Sequence, residues 1–159
     1  MSPTAPRDAV LVRADTDRFG ASFTFLDATF CVVLSGTDTG QRACSVDTNR
    51  HRRGGPPVHV HPDQDEWFLI REGEFDIRVG DVTHHLMPGD SLLAPMGVPH
   101  AFANTTPTGR MLVTFMPAGG MEAFFAEASA LAAPTPPEMA AVFRKHGMQV
   151  LGPPLPLAP

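Results

Sequence analysis

The stretch Gly54-Gly55-Pro56-Pro57-Val58-His59-Val60-His61-Pro62 constrains the fold of this chain more than any other. Its three prolines remove backbone donors and its paired glycines break helical phase, so the segment does not form a helix. A short strand that ends in a turn fits instead. In a strand, residues two apart project from the same face, which puts His59 and His61 side by side. Glu66 follows and opens the run Trp67-Phe68-Leu69-Ile70, aromatic and branched and stopped by Gly73, which reads as the next strand. From there its carboxylate can face back toward the two imidazoles.

Downstream, Gly89 to Asn104 has a similar plan: a strand between glycine and proline, a turn through Met96-Gly97-Val98-Pro99, and a new strand that starts on His100. His59, His61, Glu66 and His100 are together a set of donors able to close around one metal ion. Neutral imidazoles with one carboxylate suit Zn, Cu, Fe, Ni or Mn, require no thiolate and leave coordination positions open. Taken one at a time, these histidines are ordinary polar strand residues.

The rest of the chain agrees with an all-β plan. Seventeen prolines and fourteen glycines are spread between short apolar runs. Strands are expected over Phe23–Phe25, Phe30–Leu34, Gln41–Thr48, Phe75–Val79, Val82–Met87 and Arg110–Met116, and residues 1 to about 18 form an arm or an edge strand. Phe75, Ile77 and Val79 alternate with Asp76 and Arg78, the period of a strand with one buried face. His84 and His85 are adjacent and therefore point to opposite sides, so the default for both is a surface or rim position. Asn49 to Gly55 reads as a basic loop, most simply a solvated turn and alternatively a lid or a contact for an anionic substrate. Beyond Pro117 the character changes. Met121, Phe124, Phe125, Ala128 and Leu131 recur at helical spacing, as do Met139, Val142 and Phe143, the latter between Pro136-Pro137 and Gly147. Both stripes are read as packing against the barrel or a second subunit.

The two histidine segments resemble the signature motifs of the cupins. The first is similar over Gly54 to Gly73: His59, one residue, His61, four residues, Glu66, six residues, Gly73, with the leading glycine one place late and Arg53 in its nominal position. The second is similar over Gly89, Pro95, Gly97, His100 and Asn104, without departure. The tail Val150-Leu151-Gly152-Pro153-Pro154-Leu155 and the segment Phe115–Gly120 look like those of single-barrel, quercetin-dioxygenase-like members. The resemblance implies a double-stranded β-helix, or jelly-roll, barrel with C-terminal helices in one domain over residues 1–159. The barrel core spans about 20–117 and the helical segment with its Pro-rich tail about 121–159. It also implies that His59, His61, Glu66 and His100 bind one divalent ion, Fe, Mn, Ni, Co or Zn, and that the protein is a homodimer.

Glu66 is then the candidate proton acceptor, on the metal or beside it. By strand parity Phe68, Ile70, Phe102, Met111 and Phe115 are assigned to an apolar pocket for a flat ring. The chain contains no tyrosine, which removes one common phenolic acid. The expected function is a quercetinase-like oxygenase acting on an aromatic, polyphenolic or polyketide-like small molecule. The alternatives are a non-redox cyclase, isomerase or dehydratase on the same centre, or a binding module without turnover. A net charge of −5 disfavours nucleic acid and anionic membranes as partners. With neither a secretory signal nor a membrane-length apolar stretch, a cytoplasmic location is expected. Cys31 and Cys44 are read as free thiols, although a disulfide between neighbouring strands is geometrically open.

Overall fold

In the computed structural model, which describes residues 7–157, two antiparallel sheets face each other as a jelly roll. One sheet orders its strands β1 (Phe23–Phe25), β2 (Ala28–Leu34), β3 (Cys44–Arg50), β10 (Gly109–Met116), β5 (Asp65–Glu72) and β8 (Ser91–Ala94). The other orders β11 (Gln149–Pro154), β4 (Pro57–Val60), β9 (His100–Asn104), β6 (Phe75–Val79) and β7 (Val82–Leu86). Neighbours in the sheets are distant in sequence: β3 and β5 flank β10, and β4 and β6 flank β9. This exchange between sheets is what brings the two histidine segments together.

Alternation builds the interior. Along β5 the buried residues are Glu66, Phe68 and Ile70, and along β10 they are Gly109, Met111, Val113 and Phe115. Phe68 and Met111 have no exposed surface. Withdrawing each such side chain from water stabilises the fold by roughly 1.5–3 kcal/mol. Gly55, just ahead of β4, shows how close that segment runs to β9 in the same sheet, because a Cβ there would lie 1.7 Å from the carbonyl oxygen of Phe102. Only glycine passes at that point.

Three helices complete the described structure: α1 (Gly36–Thr39), α2 (Met121–Ser129) and α3 (Pro136–Lys145). The start of α3 is set by Thr135, which exchanges capping hydrogen bonds with Glu138, and by Pro136 in the first turn. Phe124 and Phe125 of α2 stack into a ring cluster with Phe25 and Phe30, the Phe30 and Phe125 centroids lying 4.8 Å apart. Glu127 of α2 meets Lys145 and His146 at 2.8 Å, fastening the two helices together.

Several expectations change. Residues 7–22 form no strand; Asp17 instead accepts from the Val32 N–H at 2.6 Å and Arg18 pairs with Asp38, so polar contacts hold the arm. Residues 1–6 of the expected arm lie outside the described residues. Asn49 and Arg50 belong to β3 and not to a loop, and Arg50 is buried. The Pro-rich tail contains β11, an edge strand along β4 whose register shifts at Gly152 and Pro154 accommodate residues that cannot donate. Helix α1, of four residues, was too short to show a period. Cys31 and Cys44 are free thiols, and burial pushes the Cys44 thiol up to about 12.

Candidate metal centre

Strand β4 carries His59, and His100 on β9 lies directly opposite it. His61 sits in the turn after β4, and Glu66 at the start of β5 reaches across from the other sheet. All four are buried, and their ligand-type atoms lie within 4.8 Å of one another. The Nε2 atoms of His100, His61 and His59 lie 2.7, 3.2 and 3.9 Å from Glu66 Oε2.

Their outer nitrogens explain this convergence. His59 Nδ1 is 2.9 Å from Pro57 O and His100 Nδ1 is 2.9 Å from Val98 O. A carbonyl oxygen only accepts, so both Nδ1 atoms carry hydrogen; the Nε2 lone pair of His59 faces inward, whereas His100 Nε2, 2.7 Å from Glu66 Oε2, donates to that carboxylate until an ion takes the place of its proton. For His61 the acceptor is Gln64 Oε1 at 2.6 Å. The orientation of that amide is fixed because Gln64 Nε2 donates to Pro117 O and Ala118 O at 2.6 and 3.1 Å. Three imidazoles thus present Nε2 to one carboxylate, each held by an outer partner, as metal-ligating histidines characteristically are. His61 Nε2 is buried without a hydrogen-bond partner, as a nitrogen awaiting a ligand would be.

Electrostatics favours the ligand forms of His59 and Glu66. Burial, reinforced by His100, lowers the His59 pKa to about 3, so that ring stays neutral. Burial alone would raise Glu66, but the imidazoles of His100 and His61 outweigh it and keep the carboxylate ionised well below its usual range. Around His100 the outcome is the reverse: desolvation lowers its pKa but Glu66 more than restores it, so this ring holds its proton until an ion displaces it. The residues present fit a divalent ion of borderline softness.

Beside this cluster lies a narrow cavity of about 50 Å³, open to solvent on one side. His59, His61 and Glu66 line it, together with Phe102, Phe115 and Val113 from the sheets and Phe124, Phe125 and Phe143 from the helices. The Phe143 ring stands edge-on to His59 with centroids 5.3 Å apart. Of the residues assigned to the pocket by parity, Phe102 and Phe115 do line it. Phe68, Ile70 and Met111 instead fill the core, because the cavity lies toward β1–β3 and the helices while the far end of the β5–β10 pair is packed solid. The helical stripes therefore pack and also wall the cavity, a role that periodicity alone does not distinguish. His84 and His85 are exposed on β7, and His85 is bracketed by Asp76 and Glu74, away from the cluster.

Gln64 and Arg50 were not marked as site residues in sequence. Gln64 carried no signal beyond standing three places after His61. Arg50 could have been found by continuing the alternation of β3 through Val46 and Thr48, all three of which line the cavity.

A model of the cupin domain matches residues 51–116. An RmlC-like cupin from Shewanella frigidimarina superposes with a TM-score of 0.53 at 24% identity, over 62% of this chain and 84% of that one. Residues 51–116 carry a cupin domain, and the chain has the cupin fold. This cupin also shares its fold with the polyketide cyclase RemF from Streptomyces resistomycificus, with a TM-score of 0.55 and 23% identity, over 67% of this chain and 77% of RemF. Protein SchB from Streptomyces halstedii is 40% identical to this cupin over 47 residues, 30% of the chain and 34% of SchB. An oxidoreductase of Arthrobotrys oligospora is 26% identical over 112 residues, 63% of the chain and 41% of that protein. The cupin thus matches well under half the length of these two relatives. Among the described residues no helix is long and apolar enough to cross a membrane.

Proposed function

We propose that this cupin is a metal-dependent oxygenase acting on a flat aromatic, polyphenolic or polyketide-like small molecule. The observation that carries the reading is the opening of a convergent three-imidazole, one-carboxylate cluster onto a cavity walled by phenyl rings. His59, His61, Glu66 and His100 would hold the ion. A divalent ion there supplies Lewis acidity and, for Fe, Mn, Ni or Co, redox chemistry toward O2.

The chain's own residues do the rest. Phe102, Phe115, Phe124 and Phe125 offer faces and edges for a planar ring and keep bulk water from the reacting atoms. Glu66, held ionised, accepts the proton of an acidic substrate hydroxyl, and no tyrosine competes for that role. Gln64 keeps the inner nitrogen of His61 available throughout. Similarity to an oxidoreductase over 63% of the chain supports the redox reading.

A second reading is a non-redox cyclase on the same centre, supported by the fold shared with a polyketide cyclase. An oxygen electrode separates the two. Protein reconstituted with Fe, Mn, Ni or Co and given a panel of flavonols and aromatic polyketides is expected to consume O2, and the Zn form is not. Product formation under nitrogen without uptake in air would replace the oxygenase with the cyclase. In either case Glu66→Gln is expected to abolish turnover, and retained turnover at normal metal content would remove it as the proton acceptor.

A further inference from the structure

Strand β3 delivers to the cavity two polar groups that the metal centre does not use. Val46, Thr48 and Arg50 alternate along the strand and line the cavity from one face. Thr48 has no exposed surface, and its Oγ1 has no hydrogen-bond partner. A buried hydroxyl in that state is costly, and native structures keep few of them.

Arg50 is only 3% exposed. Its Nη1 donates to Leu26 O at 2.5 Å and its Nε to Asn104 Oδ1 at 3.3 Å, both neutral acceptors. Among the described residues no carboxylate lies within ion-pair distance of it. Asp27, whose charge reaches Arg50, is itself paired with Arg52 at 2.7 Å. Placement of the guanidinium is deliberate in its details. Asn104 Nδ2 donates to Thr106 O at 2.8 Å, which turns Oδ1 toward Arg50, and the residues in register with Arg50 on β2 and β10 are the small Ala28 and Gly109. A buried cation without a counter-ion, two places along one strand from an unpaired hydroxyl, makes a cradle for a planar anion. The Cα atoms of residues two apart in a strand are about 6.6 Å apart, and both side chains leave the strand on the face that lines the cavity.

We propose that Thr48 and Arg50 form a carboxylate-recognition site, and that the substrate of this cupin is a flat aromatic acid whose carboxylate docks there while its ring lies among the phenylalanines. This rests on the substrate class proposed above and narrows it from flat aromatic molecules in general to those that carry a carboxylate. Guanidinium and carboxylate match as planar forks, and the hydroxyl supplies a further donor.

The test uses the full chain stripped of metal, so that coordination plays no part, with 2-naphthoate and its neutral isostere 2-naphthamide titrated by calorimetry. Naphthoate is expected to bind at least tenfold more tightly than naphthamide. Arg50→Gln should erase that preference. Thr48→Val should weaken naphthoate severalfold without lowering the melting temperature, and it keeps the proposal testable if Arg50→Gln does not fold. Equal binding of the two probes, no binding of naphthoate, or a Thr48→Val variant with unchanged naphthoate affinity would each overturn it. An absence of O2 uptake by the metal-loaded protein leaves this result standing, and failure here leaves the metal-centred reading standing.

Discussion

The 2.6 Å hydrogen bond between His61 Nδ1 and Gln64 Oε1 decides which imidazole nitrogen is presented inward. Gln64→Leu keeps most of the volume but removes that acceptor, and the ring is then free to rotate. Metal affinity is expected to fall about 10–100-fold, read by competition with a chromogenic chelator, with little change in circular dichroism. Residues of this kind separate what the sequence could and could not tell. His59, His61, Glu66 and His100 stood out because glycines and prolines at fixed places phase them on strands, and the structure brings all four within 4.8 Å. Arg50 did not, because a basic run ahead of Gly54-Gly55 has the composition of a solvated turn. Its inward direction is set by two residues more of strand than composition suggested. Phe68, Ile70 and Met111 were recognisable as inward-facing. Whether an inward side chain meets a void or another side chain depends on the opposite wall, which no local pattern encodes.

Elements that alternate strictly were the easiest to recognise, and those whose order comes from a neighbour were the hardest. Strand β6 declares itself by period two, β5 and β10 by apolar runs between turn residues, and α2 and α3 by apolar stripes, with Pro136-Pro137 and Gly147 bounding α3. Strand β11, with Gly152-Pro153-Pro154, has the composition of a tail and becomes a strand only because the edge of β4 is there to receive it. Deleting residues 149–159 is therefore expected to expose the backbone of the strand that bears His59, and so to promote association between chains. Light scattering at rising protein concentration checks it; a truncated chain that stays monodisperse contradicts it. The close passage at Gly55 gives a sharper expectation. Gly55→Ala drives a methyl group into the Phe102 carbonyl and should cost roughly 3 kcal/mol or more, because backbone on both sides has to move. At about 2–4 °C per kcal/mol for a chain of this size, thermal melting should fall by at least roughly 6 °C.

At the scale of the whole molecule, the candidate metal centre joins the two sheets: His59 and His100 belong to one and Glu66 to the other. An ion bound there would stabilise the folded chain and not the unfolded one, where these residues are up to 41 positions apart. At a free metal concentration 100 times the dissociation constant the gain is about 2.7 kcal/mol, or roughly 5–10 °C in melting temperature, lost on adding a chelator. Scanning calorimetry of the stripped and reloaded protein measures it, and identical melting curves would count against a bound ion. Helices α2 and α3, fastened to each other through Glu127, cover the same cavity, so a melting shift should be accompanied by protection of their amides from exchange. The pairing of His59 opposite His100 has a practical consequence as well. Side chains on a strand change sides at every residue, so a β4 that slipped by one place would turn His59 outward and dismantle the donor set. Metal uptake then serves as a census of correctly assembled molecules: a stoichiometry below one ion per chain counts the misassembled fraction in a preparation, including chains that are soluble and rich in β-structure.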